Sequence, residues 1–243
     1  MSHSHTHGHP KGLVHHFDDL KQQNEAATLG MWGFLITEIL FFGGLITAYI
    51  IFRGLYPEVF LHGSHMLDWK LGGLNTLVLL CSSLTMAFAV HASHEGKPKA
   101  AFNYLILTIL FGSVFLVVKY FEYKAKVDHH LIPGSASFTF TEGGVDPGHA
   151  QIFFVLYFAM TGVHALHMIV GIGIVAWIAA KVRNNAFTKD YYSPVEMTGL
   201  YWHFVDIVWI FLYPLLYLID LTKVGGGGGH ALLDTDTLMK LLG

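Results

Sequence analysis

Residues 29–52 read LGMWGFLITEILFFGGLITAYIIF, an apolar run that contains one charged side chain, Glu38. A helix of about 20 apolar residues crosses the hydrocarbon core of a bilayer, and this run is long enough. Its backbone N–H and C=O groups find no water in lipid, so they must bind one another within a helix. The stretch therefore predicts a transmembrane helix with an acidic residue near its middle.

Four more runs of this kind follow, at residues 71–92, 101–123, 151–180 and 195–221. They are long and do not alternate polar with apolar residues, which argues against a transmembrane β-barrel. Charged residues make up only 13% of the chain, about half of the share usual in soluble domains, and the mean hydropathy is +0.49. We therefore predict an all-α, polytopic membrane protein, a bundle of five transmembrane helices.

Composition divides the chain into three parts. Residues 1–28 are a polar, His-rich tail without the apolar core of a signal peptide, residues 29–222 hold the five helices, and residues 223–243 are a glycine run with a short polar tail. The alternating histidines at 3–9 could hold a transition metal loosely, although a solvated tail is the simpler interpretation. Residues 124–150 connect the third and fourth helices and predict an ordered surface loop.

The carboxyl groups of Glu38 and Asp206 lie well inside the predicted helices and are expected to be buried. An ionisable group costs about 2.5–3.5 kcal/mol at the bilayer centre, so each one needs a reason. Glu38 has no basic residue within a helical turn, and its partner must come from another helix or from a bound molecule. The two readings of Glu38 are a proton-handling group and a neutral group that joins two helices by hydrogen bonds.

Polar faces recur on the last two helices. The imidazoles of His164 and His167 lie three residues apart, as do His203 and Asp206, so each pair shares one helix face. A short connection makes these helices antiparallel, and we expect the two faces to meet. The intramembrane polar network predicted from the sequence comprises His91, Glu122, His164, His167 and His203.

A metal or haem inside the bundle is not predicted. Di-iron bundles use Glu-x-x-His on two helices together with two further glutamates, and that pattern is absent from the sequence. His164 and His167 lie one turn apart on a single helix, which suits a bis-His haem poorly. We therefore expect no metal, no intrinsic cofactor and no catalytic residue in this chain.

Basic residues in two short connections indicate the orientation. The positive-inside rule places such connections in the cytoplasm, with the N-terminus inside and the C-terminus outside. The same side chains are candidates for contact with lipid phosphates. No basic patch with interleaved aromatic residues suggests nucleic acid. These basic residues are Lys97, Lys99, Lys181 and Arg183.

Several of these segments resemble subunit III of haem-copper oxidases, the family of cytochrome c oxidase subunit 3, in its five-helix bacterial form. The most specific stretch is residues 201–213, YWHFVDIVWIFLY, which is similar to the family's last helix. Residues 161–171 resemble the helix before it, and Glu38 followed by FFGG is similar to a buried carboxyl segment. Lys119–Tyr123 resembles the motif that ends the third helix, and the match runs in order over residues 29–221.

The resemblance implies a subunit without a redox centre that packs on subunit I, contacts subunit II, and binds phospholipid. In the family it supports proton uptake and the stability of a complex that reduces O2 and pumps protons in aerobic respiration. The implied location is the bacterial inner membrane, and a respiratory supercomplex is a further partner that the resemblance allows. The resemblance does not decide between cytochrome c and quinol as electron donor.

Two other classes of protein remain open from the residues alone. A proton-coupled transporter would use Glu38 and Asp206 and would give substrate-dependent flux when the chain is reconstituted alone. A di-haem cytochrome b would show the Soret absorption of haem in the purified chain.

Overall fold

The computed structural model describes residues 15–187 and 191–219. Six α-helices lie in these ranges, together with a 3₁₀ turn at Glu142–Gly144. The helices are α1 (Leu20–Leu55), α2 (Pro57–His65), α3 (Trp69–His94), α4 (Pro98–Asp128), α5 (Pro147–Arg183) and α6 (Ser193–Tyr217). The histidine-rich start and the glycine run near the C-terminus lie outside the described residues.

Five of these helices, all except α2, are long and apolar enough to cross a membrane. The prediction of an all-α bundle with five transmembrane helices is thereby confirmed. Helix α1 begins at Leu20, well before the apolar run, because residues 20–28 include good helix formers and Asp19 caps the helix. The Asp19 carboxylate accepts a hydrogen bond from the Gln22 backbone N–H at 2.7 Å.

Helix α2 is an additional element that the sequence patterns do not predict. It begins with Pro57, which suits the first position of a helix because the missing N–H is not needed there. Its Val59 and Phe60 side chains are buried, and Phe60 lies edge-on to Phe153 of α5. The short helix is therefore anchored to the bundle at the end of α1.

Helices α3, α4, α5 and α6 form the centre of the bundle, and α1 packs at its edge against α5 and α6. The side chains of Trp202 and Trp209 on α6 are fully buried. Close approach to Trp202 requires glycine on two neighbouring helices. A Cβ at Gly112 of α4 would lie 2.9 Å from the Trp202 ring, and one at Gly171 of α5 would lie 3.1 Å from it.

The loop predicted at residues 124–150 is shorter in the structure, at residues 129–146, because α4 continues to Asp128 and α5 begins at Pro147. Leu131 and Phe140 of this loop are buried, and the rings of Phe138 and Phe140 both pack edge-on to Phe154. The loop therefore lies against the same end of the bundle as α2.

Replacing Gly171 by leucine should destabilise the bundle by about 1–3 kcal/mol, because the new side chain enters a space that Tyr201 and Trp202 fill. The measurement is the free energy of unfolding of the full chain in mild detergent. Gly173→Leu is the matched control, since no atom lies within 4 Å of a Cβ built at Gly173. Equal stability of the two variants would contradict this packing.

Candidate functional site

Glu38 of α1 meets His167 of α5 inside the bundle. The Glu38 Oε2 and the His167 Nε2 are 3.1 Å apart, and the two side chains are 18% and 17% exposed. The other ring nitrogen of His167, Nδ1, lies 2.9 Å from the Val163 carbonyl oxygen. Since a carbonyl only accepts, Nδ1 carries a hydrogen. A hydrogen bond joins Nε2 to the Glu38 carboxyl group when either of the two atoms carries a hydrogen.

A groove opens beside this pair between α1, α5 and α6. Its volume is about 440 Å3 and its walls are almost entirely apolar. Along α5 the lining runs from His167 through Val170 to Ile174, towards the helix end that carries Lys181 and Arg183. The lining on α5 therefore begins beside the Glu38–His167 pair and ends at Ile174, two helical turns before Lys181. The remaining apolar wall includes Met31, Phe34, Leu166 and Met197.

His203 of α6 binds a hydroxyl of α3. Its Nδ1 lies 2.7 Å from the Ser83 Oγ. Other hydroxyls of α3 accept hydrogen bonds from the two buried tryptophans of α6. The Trp202 Nε1–H donates to Ser82 Oγ at 3.0 Å, and the Trp209 Nε1–H donates to Thr76 Oγ1 at 3.1 Å. The hydroxyl-rich face of α3 thus provides partners for His203 and for the two buried indole N–H groups of α6.

Glu122 forms a second polar cluster, on the other side of Trp209. The Lys119 Nζ lies 3.0 Å from Glu122 Oε2, and both side chains are almost completely buried. The hydroxyls of Tyr157 and Tyr217 donate to Glu122 Oε1 at 2.8 Å and 2.5 Å, and Lys119 also donates to both hydroxyls. The ammonium lies 5.2 Å from the Trp209 ring centroid. A buried ion pair of this kind is stable only when all of its hydrogen-bonding atoms have partners.

Three members of this cluster, Lys119, Tyr157 and Tyr217, are not among the predicted site residues. The signal for Lys119 is in the sequence, because a lysine three residues before a glutamate on a helix lies on the same face. The two tyrosines come from α5 and α6, and no sequence spacing places them beside Glu122.

His164 and Asp206 are buried but stand apart from both clusters. The His164 ring lies 5.4 Å from Phe115 and 5.2 Å from Trp209, measured between centroids. Within the described residues, neither nitrogen of His164 and neither oxygen of Asp206 has a partner at hydrogen-bond geometry, although Ser83 approaches Asp206. Among the described residues, His164 and Asp206 are therefore not joined to each other by hydrogen bonds, and Phe115 and Trp209 lie against the His164 ring.

His91 also lies outside the buried clusters. Its side chain is 67% exposed, and its Nε2 lies 3.5 Å from Glu95 at the end of α3. His91 and His203 line the same surface groove, of about 420 Å3. The structure therefore places His91 on the surface, beside His203 in one groove and away from the buried His164.

The four predicted lipid-contact residues lie at one end of the bundle. Lys97 Nζ is 2.7 Å from Glu95 Oε2, and this hydrogen bond and the carboxylate charge raise the pKa of Lys97 above its ordinary value. Lys99 is exposed. Lys181 lies 3.8 Å above the Trp177 ring, and Arg183 lines a groove of about 540 Å3 between α4 and α5.

None of the predicted intramembrane residues belongs to a group that could hold a metal. Within the described ranges, one group of three or more His, Cys, Asp or Glu ligand atoms converges, and it consists of His62, His65 and Glu142. These residues lie at the opposite end of the bundle from Lys97 and Lys181.

The comparisons with known proteins point to one family. A family model described as cytochrome c oxidase subunit III matches residues 15–220. The chain is 32% identical to cytochrome c oxidase subunit 3 of Loxodonta africana, over 79% of this chain and 69% of that protein. It is 29% identical to cytochrome c oxidase subunit 3 of Thermostichus vulcanus, over 83% and 92%. It is also 29% identical to cytochrome bo(3) ubiquinol oxidase subunit 3 of Pseudomonas putida, over 80% and 86%.

Replacing Lys119 by methionine should lower the free energy of unfolding by about 3–5 kcal/mol, because the Glu122 carboxylate loses its buried counter-charge. The double variant K119M/E122Q should be more stable than K119M alone, since it removes the unpaired charge. Lys124→Met, an exposed position on the same helix, is the control. If K119M and K124M unfold alike, the ion pair does not stabilise the bundle.

Proposed function

Because the chain belongs to the cytochrome c oxidase subunit III family, and is thus subunit III of a haem-copper oxidase, we propose that it is a non-catalytic subunit. It packs on subunit I and contacts subunit II, binds phospholipid, and supports proton uptake and the stability of the complex. The complex reduces O2 and pumps protons in aerobic respiration, in the bacterial inner membrane. The observation that carries this proposal is the apolar groove that ends at the Glu38–His167 pair.

An acyl chain of a phospholipid fits the shape and chemistry of this groove. The walls are almost entirely apolar, and His167 of the polar pair is one of the lining residues. A hydrocarbon chain loses no hydrogen bonds when it enters such a groove, and it covers Glu38 and His167 from the side that the protein leaves open. Shielding of the pair in this way keeps water from competing for the hydrogen bond between Oε2 and Nε2.

Phosphate groups would lie at the end of the groove where α5 ends. Lys181 and Arg183 are at this end, and Arg183 also lines the second groove, between α4 and α5. A cationic side chain beside an apolar groove suits a phospholipid, whose headgroup is anionic and whose tails are apolar. Lys97 and Lys99 add positive charge at the same membrane face, with Glu95 as an immediate partner of Lys97.

The outer face of α1 offers a surface for neighbouring subunits and lipid. Leu29 and Leu40 are 76% and 71% exposed, and no atom lies within 4 Å of a Cβ built at Gly30 or Gly43. Small residues allow another helix to approach closely in lipid. Subunit I or subunit II would therefore pack on the exposed apolar faces of the bundle.

The polar residues of the bundle hold no electron carrier in this proposal. Both ring nitrogens of His167 already have protein partners, and the Nδ1 of His203 faces Ser83. The His164 ring is enclosed by aromatic rings. Imidazoles in these positions serve packing and proton sharing, while catalysis belongs to the partner subunit.

The proposed orientation places the N-terminus in the cytoplasm and the C-terminus outside. Five spans put the two ends of the bundle on opposite sides. The connections that carry Lys97, Lys99, Lys181 and Arg183 lie on the same side as the start of α1, and short basic connections face the cytoplasm.

A second candidate is subunit III of a quinol oxidase in the same superfamily, which the Pseudomonas putida relative supports. The two candidates differ in the electron donor, which binds to other subunits. Oxygen consumption by the purified complex with reduced cytochrome c and with ubiquinol as alternative donors separates them.

Purification of the tagged chain from its native membrane should bring down a haem-bearing subunit I. The isolated chain should show no Soret band, because His167 and His203 are hydrogen-bonded within the bundle and His164 is enclosed by aromatic rings. Recovery of the chain without oxidase subunits, or haem absorption from the chain alone, would contradict the proposal. Substrate-dependent flux through the reconstituted chain would support the transporter instead.

Replacing Val170 by tryptophan should fill the groove and reduce the phospholipid that the complex retains after detergent exchange. We expect a faster decline of oxidase activity during sustained turnover. The measurements are lipid analysis by mass spectrometry and oxygen consumption over time. Ile207→Trp is the matched control, since Ile207 is equally exposed, at 50% against 49% for Val170, and lies outside this groove. Equal lipid retention in both variants would contradict the lipid assignment.

A further inference from the structure

Helix α2 and the loop before α5 bring two imidazoles and a carboxylate together at the end of the bundle opposite Lys97 and Lys181. The ligand atoms of His62, His65 and Glu142 all lie within 4.8 Å of one another. We propose that these three side chains bind a divalent transition metal, with Zn2+ as the ion that the ligand set suits best. The metal site ties α2 to the loop of residues 129–146.

The ligand chemistry favours zinc. Neutral imidazole nitrogens together with a carboxylate oxygen form a common zinc ligand set, with metal–ligand distances of about 2.0–2.2 Å. His62 and His65 are three residues apart on a helix, so both imidazoles point to one side. A tetrahedral ion would hold the donor atoms about 3.3 Å apart. The three side chains are partly exposed, so they can rotate to bring their donor atoms to that distance. Water completes the coordination.

The helix that carries the two histidines is held firmly. Val59 and Phe60 of α2 are buried, and Gly63 lies directly against the Phe153 ring. The backbone of α2 is therefore fixed, and the imidazoles extend from a defined position rather than from a loose segment.

The loop is shaped to meet His62. Gly143 has a φ of 65°, a conformation that favours glycine, and a Cβ at this position would collide with the His62 ring. Glycine therefore lets the loop backbone lie against the imidazole, and this contact places the adjacent Glu142 carboxylate at the cluster. Phe140, which is buried, anchors the loop a short distance before it.

Glu58 adds a second carboxylate beside the site. Its Oε2 lies 3.9 Å from the His62 Nε2, one helical turn away. A carboxylate next to imidazole ligands strengthens the electrostatic attraction of the site for a cation. Carboxylates beside metal-binding histidines also commonly orient the imidazole rings. Glu58 is therefore a supporting group, and the three ligands are those named above.

Zinc titration of the full-length chain tests the proposal. The chain is first treated with a chelator, and binding of Zn2+ alone is followed by isothermal titration calorimetry. The background variant carries serine at His3, His5, His7 and His9, because the histidine-rich start can bind metals by itself. We expect one saturable site, with affinity reduced at least about tenfold by either H65N or E142Q.

His129→Asn, an exposed histidine at the end of α4 on the same side of the bundle, should leave the affinity unchanged. Binding that survives E142Q would belong to the helix histidines alone and would overturn the proposed site. Absence of zinc binding in the background variant, or a loss of affinity in H129N equal to that in H65N, would overturn it as well.

A second measurement reports on the loop directly. Zinc should slow amide hydrogen exchange over residues 139–145 in the background variant and should have no such effect in E142Q. Gly143→Ala should weaken zinc binding, because its Cβ displaces His62 from the cluster. Unchanged exchange of the loop on zinc addition would overturn the link between α2 and the loop.

Discussion

A polar group inside a bilayer has no water to bind, so the protein or its lipid must satisfy it. This constraint decides how the helices of the bundle are rotated. The hydroxyls of α3 face α6 because Trp202 and Trp209 bring two indole N–H groups into the core. Lys119 and Glu122 of α4 are paired because each would be too costly alone, and the tyrosines of α5 and α6 complete their hydrogen bonds.

Helix α6 connects these clusters. It carries both buried tryptophans, the His203 imidazole that meets Ser83, and the Tyr217 hydroxyl that meets Glu122. The Trp202 ring fits between α4 and α5 because Gly112 and Gly171 have no side chains at the points of contact. The position of α6 therefore follows from hydrogen bonds on one side and steric fit on the other, which explains why its polar and aromatic residues dominate the resemblance.

The five spans could be predicted because the length and hydrophobicity of a helix are local properties of the sequence. Helix α2 could not, since nine residues with two buried apolar side chains give no distinct periodicity. The partner of Glu38 depends on the rotation of α1 against α5, which no spacing within either helix specifies. For the same reason the spacing of His203 and Asp206 identifies a shared face but not its neighbours. The Lys119–Glu122 pair was accessible from spacing alone.

Helix α1 is attached less extensively than the other spans, and this makes its polar contacts important. Lipid tails are as apolar as leucine, so burial of apolar surface gives little drive for helices to associate within a membrane. The attachments of α1 are the Glu38–His167 contact, the packing of Phe42 against His167 and Phe204, and the hydrogen bond from the Tyr49 hydroxyl to the Leu215 carbonyl. A lipid chain in the adjacent groove would contact both α1 and α5, and so would stabilise the junction at which Glu38 meets His167. The proposed lipid binding and the Glu38–His167 contact would then both depend on how α1 packs.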